Sequence, residues 1–188
     1  MKPLRLLVAI AALALLGGAI WYSEKHPPKP ASETETPAPV KVKLLAVKED
    51  QIGKVRLVHP DTGSAVELEK DARGAWSIRE PKETAADDGN VKSLVSALAG
   101  LESEQVVAEK TSDWASFGLD QPKLSVEATL ADGKKVQVDL GADAPTGSLV
   151  YARVAGGDKV YGVSSYIRSS LDKSSSDLRD KRLLRVEA

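Results

Sequence analysis

The chain has 188 residues and a nearly balanced charge, with 26 Lys and Arg against 27 Asp and Glu. It contains no cysteine, which excludes disulfides and thiolate metal sites. The charge balance argues against nucleic acid as a partner, since that needs a basic face. Aromatic residues are scarce, so Val, Leu, Ile and Ala must build the core.

Lys2 and Arg5 precede residues 6–22, LLVAIAALALLGGAIWY, a run without charge. As a helix rising ~1.5 Å per residue it reaches roughly 25 Å, the short end of a bilayer span. Trp21 and Tyr22 stand where interfacial aromatics stand, and the positive charges come first. Residues 1–22 are therefore expected to be a transmembrane signal anchor. The N-terminus then stays in the cytoplasm, and the rest is a periplasmic domain of a single-pass inner-membrane protein. A cleaved secretory signal is the alternative, with Gly17 and Ala19 forming a small-x-small site. Ile20, Trp21 and Tyr22 extend the apolar run past that site. A lipoprotein signal is excluded because it needs a cysteine.

Residues 23–41 begin SEKHPPKPASETETPAP and form a polar, proline-rich linker of semi-rigid character. Residues 42–188 are expected to make one extracytoplasmic domain. Val55 and Leu57, Val66 and Leu68, then Trp76 and Ile78 each alternate with polar residues. Turn chemistry at His59-Pro60-Asp61-Thr62-Gly63 and Asp71-Ala72-Arg73-Gly74 separates them, which predicts a three-stranded meander. Pro81 ends the third strand. Asp87 or Asp88 caps a helix whose Val91, Leu94, Val95, Leu98 and Leu101 form one stripe.

Residues 105–109 predict a short strand. Ser112 opens a single helical turn through Trp114 to Phe117. Gly118 closes it in the left-handed region, with Leu119 folding back on Trp114 and Pro122 preventing continuation. A second meander follows. Leu124 to Leu130, Val136 to Leu140, Val150 to Val154 and Val160 to Val163 alternate, with Asp132-Gly133 and Gly156-Gly157-Asp158 as turns. A helix over 165–171 packs back. The expected class is α+β: two antiparallel β-meanders, each followed by a helix, after an N-terminal transmembrane helix.

Chemistry is harder to find. His26 lies in the linker and His59 beside Pro60, too few for a histidine metal site. Neither sits in a nucleophile-elbow motif. The segment 85–90, AADDGN, lacks the spaced ligands of a calcium loop and reads as a cap. Gly141 to Gly147 lacks the P-loop lysine. Asp139 and Asp143 form a possible carboxylate pair, but read as solvated strand residues. Lys173 with Ser174 to Ser176 reads as a polar loop rather than a Ser-Lys dyad. No catalytic residue, cofactor or metal is expected.

Several marks carry a resemblance. They are Trp76-x-Ile78-x-x-Pro81, Ala86-Asp87, Phe117-Gly118-Leu119-Asp120-x-Pro122, Asp132-Gly133-Lys134, Leu140-Gly141, Tyr151-Ala152 and Leu178-Arg179-Asp180-Lys181. Together, over residues 42 to about 184, they resemble an uncharacterised bacterial family classed as a domain of unknown function. The resemblance implies membrane anchoring and association with auxiliary components of gliding-motility-type ABC transport systems. It supplies no catalytic residues: Trp76, Pro81, Asp87, Trp114, Gly118, Leu119, Pro122, Gly133, Gly141 and Tyr151 are structural marks. The tail Arg182-Leu-Leu-Arg-Val also repeats the x-Leu-Leu-x-Val of residues 43–47.

The expected function is a non-catalytic, membrane-anchored accessory domain that binds an envelope or transporter protein. The alternatives are an envelope-polymer hydrolase using carboxylates, or a small-ligand sensor. A deep pocket with two facing acids favours the hydrolase, and exposed strand edges favour binding.

Overall fold

Alternating apolar and polar residues produce strands because successive side chains point to opposite faces. A computed structural model describes residues 41–181. The expected anchor, the linker up to residue 40 and the tail 182–188 lie outside the described residues. Among the described residues no helix is long and apolar enough to cross a membrane.

Strand β1 is Val42–Lys43, β2 Ile52–His59, β3 Ser64–Lys70, β4 Trp76–Glu80, β5 Thr84–Ala85, β6 Glu102–Ser103 and β7 Gln105–Ala108. The second half supplies β8 Leu124–Leu130, β9 Lys135–Asp143, β10 Leu149–Val154 and β11 Val160–Ser164. The helices are α1 Asp88–Ala99, α2 Ser165–Leu171 and α3 Ser175–Leu178. Both expected meanders form, each followed by its helix. They do not stay separate. Strands β2 and β8 pair antiparallel, Leu57 opposite Val126 and Val55 opposite Ala128, and weld them into one sheet. Its order is β5-β4-β3-β2-β8-β9-β10-β11-β7, while β1 and β6 pair apart from it.

One face of this sheet carries the core. Val55, Leu57, Val66, Leu68, Leu124, Val126, Val138, Leu140 and Val150 pack with Val91, Leu94, Val95 and Leu98 of α1. Each fully buried Leu contributes roughly 1.5–3 kcal/mol over its exposed state. Asp87 caps α1, its side chain accepting from the Asn90 N–H at 2.9 Å. Leu178 and Arg179 staple this start: the Asp87 N–H donates to the Leu178 carbonyl at 2.7 Å, and Ala86 bridges Arg179.

The opposite face is polar over β2, β3 and β8, with Lys54 and Arg56 both bonded to Glu67. Over β9 and β10 the 109–123 segment covers it. Phe117 meets Tyr151 edge-on, ring centres 5.1 Å apart. Leu119 and Val160 are buried but lie outside the helix-side cluster. The turn beneath is a 3-10 helix, Ala115–Phe117. Asp113, rather than the expected Ser112, supports its start by accepting the Ser116 N–H at 3.2 Å. Gly118 has φ 64°. Its N–H donates to the Ala115 carbonyl and the Leu119 N–H to the Trp114 carbonyl, both at 2.9 Å, the paired bonds of a Schellman motif.

Gly118 is constrained twice. Its φ disfavours a β-branched residue, and a Cβ would sit 2.9 Å from the Ala142 amide nitrogen. Gly118→Val should therefore cost about 2 kcal/mol or more in a urea melt. Gly133 also has positive φ, yet a Cβ there meets nothing within 4 Å. Asn tolerates that conformation, so Gly133→Asn should be nearly neutral while Gly118→Asn is not. Equal midpoints for the two Asn variants would remove the close-approach argument.

Candidate functional site

The marked residues gather in two places. Pro81, Ala86 and Asp87 meet the closing Leu178-Arg179-Asp180, an arrangement of caps and backbone pairs. Trp114, Gly118, Leu119, Gly141 and Tyr151 meet on the far face of β9 and β10. Trp76 stands apart at the start of β4, Gly133 in the β8–β9 turn, and Pro122 in the loop leading into β8.

The β9–β10 cluster surrounds Asp139. This residue is not the solvated strand acid the alternation suggested: it is 2% exposed. Arg153 donates to Oδ2 at 2.8 Å, and Ser125 and Gln137 donate to Oδ1, both at 2.8 Å. The Arg153 guanidinium lies 4.7 Å from the Trp114 ring centre, a cation–π contact on its other side. The Arg153 Nε is buried and has no partner among the described residues. The carboxylate is fully engaged, an arrangement that orders the face.

Asp143 does not share a site with Asp139. Lys123 donates to it at 3.2 Å and Arg168 at 2.7 Å. The Lys123 hydrogen bond, with help from Arg168, holds its carboxyl below the usual aspartate range. Glu67 is likewise lowered, first by Lys54 and then by Arg56. A carboxyl lowered on folding stabilises the native state above its unfolded pKa and loses that contribution as pH falls through the folded one. Stability should therefore be level above the carboxylate range and decline below it. Asp143→Asn should flatten part of the acid limb of the unfolding midpoint, and an unchanged limb would contradict this origin.

His59, read from the sequence as lying beside Pro60 in a turn, is the last residue of β2. Its Nε2 lies 2.8 Å from Asp172 Oδ1. The pair borders a cleft of about 490 Å³ that Thr62, Ser64, Ser174 and Ser175 also line. An acid–imidazole pair is also one component of hydrolytic triads. The other ring nitrogen is buried, however, and no hydroxyl bonds to it among the described residues. Ser174 is spent as the α3 cap, its Oγ accepting the Asp177 N–H. Lys173 donates to the Ser169 carbonyl at 2.9 Å, so no Ser-Lys dyad forms. Among the described residues no group of three or more His, Asp or Glu is placed to hold a metal.

The sheet ends on β7. It pairs with β11 through Val106 opposite Tyr161 and Ala108 opposite Val160, and no strand flanks its far side among the described residues. Gln105 is exposed, Val106 to Ala108 are half-buried, and Glu104 and Glu109 bracket them. A short strand was expected over residues 105–109, but its place at the rim depends on β11, a pairing distant in the chain.

A family model described as Domain of unknown function (DUF4340) matches residues 76–188. The match opens on Trp76, so β2 and β3, inside the expected span of resemblance from residue 42, fall outside it. No curated protein and no solved structure matches the chain.

Proposed function

The chain belongs to the DUF4340 family, a domain of unknown function, and on that premise we propose that it is a non-catalytic accessory domain that adds a partner's strand to the free edge of β7. The apolar run 6–22 anchors it in a bacterial inner membrane, and residues 23–41 hold the domain in the periplasm. The partner is another envelope protein, such as a transporter component. Association with gliding-motility-type ABC systems belongs to this same reading.

The observation that carries the proposal is the rim position of β7. A terminal strand presents backbone N–H and C=O groups outward, which a partner strand completes. Glu109 is ion-paired with Lys159, which leaves Glu104 as the acid beside the apolar Val106–Ala108 stretch. A strand with an apolar centre and a basic residue opposite Glu104 fits this edge. Tethering raises the domain's effective concentration at the membrane.

The test uses the full chain in its membrane. Protease added to spheroplasts should digest residues 41–181 while a cytoplasmic control survives, and affinity capture from solubilised membranes should recover an envelope protein. A domain protected in intact spheroplasts overturns the location. Turnover of an envelope glycan or ester, abolished by changing one acidic residue, overturns the non-catalytic reading.

A further inference from the structure

The Trp76 side chain borders an open groove. That groove, about 370 Å³, lies between the β3–β4 turn, the 3-10 turn Glu49–Gln51 and α1. Its volume falls in the range of small-ligand clefts, ~300–1,000 Å³. One part of the Trp76 side chain packs on the core. Over the ring stands the Lys70 ammonium, 6.0 Å from its centre. Three carboxylates, Glu49, Asp50 and Asp88, line the groove with Lys70 and Lys92. Glu49 accepts a hydrogen bond from Ser96 at 2.7 Å. The side chains of Asp50, Asp88 and Lys92 make no hydrogen bond or ion pair among the described residues.

This arrangement has the parts of an ammonium receptor. An aromatic face attracts a cation through its quadrupole. Carboxylates around the rim add Coulomb attraction and accept the N–H bonds. Lys70 already places a butylammonium on the ring from within the chain. Once it swings away, three carboxylates face only Lys92, and the groove is more acidic than before.

We propose that the Trp76 groove binds an alkylammonium group, with Lys70 as the internal occupant that an incoming ligand displaces. The shape of that occupant specifies the ligand: a primary ammonium on an unbranched alkyl stem, supplied by a lysine side chain of a protein or by a free diamine. This goes beyond the β7 edge, which lies at the other end of the sheet order, and neither site requires the other.

The experiment titrates the full chain in detergent with cadaverine and, separately, with Nα-acetyl-lysine methylamide, followed by NMR shifts of the Trp76 indole N–H and of the Gly74 and Lys92 backbone amides, which line the groove and serve as the readout in Trp76→Leu. 1-Pentanol serves as the neutral control. Both amines should shift the signal and the alcohol should not. Lys70→Met should tighten amine binding about three-fold by removing the competitor, and Trp76→Leu, which keeps apolar packing, should weaken it about five-fold. Asp50→Asn with Asp88→Asn should weaken it about three-fold. Tighter binding of the lysine derivative than of cadaverine assigns the groove to a protein side chain, and the reverse assigns it to a diamine. Should Trp76→Leu fail to fold, the Lys70 variant decides. Weaker or unchanged amine binding in Lys70→Met, or equal binding of the alcohol, overturns the proposal.

Discussion

Gly141→Ala lowers the unfolding free energy by about 3 kcal/mol and the melting midpoint by roughly 10 °C. A Cβ at this position would lie 2.3 Å from the Phe117 carbonyl oxygen and 2.9 Å from that of Gly118. Both obstacles are backbone atoms of a turn closed by two hydrogen bonds, so no side chain can rotate aside. The turn must lift off β9, and with it the Phe117 ring from Tyr151 and the buried Leu119. Circular dichroism melts of the variant and the parent check this. A midpoint within about 2 °C of the parent would mean that the turn is free to move away from β9.

Asp139→Ala costs about 3 kcal/mol, because it leaves Arg153 half-buried without its carboxylate and strips Ser125 and Gln137 of their acceptor. The Arg153 side chain keeps 25% exposure, so water repairs some of the loss. Arg153→Leu in the same background should restore part of the stability, since no unpaired guanidinium then remains. Urea melts of the two single variants and the double variant supply the cycle. Strictly additive effects would show that the two residues do not act as a pair.

Much of this fold was legible because local chemistry and fold agree. The strand alternation from Val55 to Ile78, the Asp87 cap and the Gly118 closure each depend on neighbours within a few positions, and each is found where it was read. What escaped were consequences of distant contacts. Alternation put Asp139 on the polar face correctly, but that face is buried there by residues 109–123, which lie far away in sequence. Gly141 stood out only as a mark beside Leu140, whereas its role is to admit the backbone of Phe117 and Gly118. The His59–Asp172 pair joins residues 113 positions apart. The β2–β8 pairing that fuses the meanders also has no local signal, because any two apolar strands of similar length satisfy the same pattern.

The claim that β7 is a docking edge is tested most directly by a photo-crosslinking residue placed at Gln105 in the full chain, irradiated in living cells. Gln105 is exposed and begins the terminal strand. The account predicts a discrete crosslinked product containing one envelope protein, lost when Val107→Pro disrupts the edge strand. The same probe at Thr146, in the β9–β10 loop, should give no such product. A crosslink at Thr146 with none at Gln105, or no product from either position, would contradict the edge as the place where this domain meets its partner.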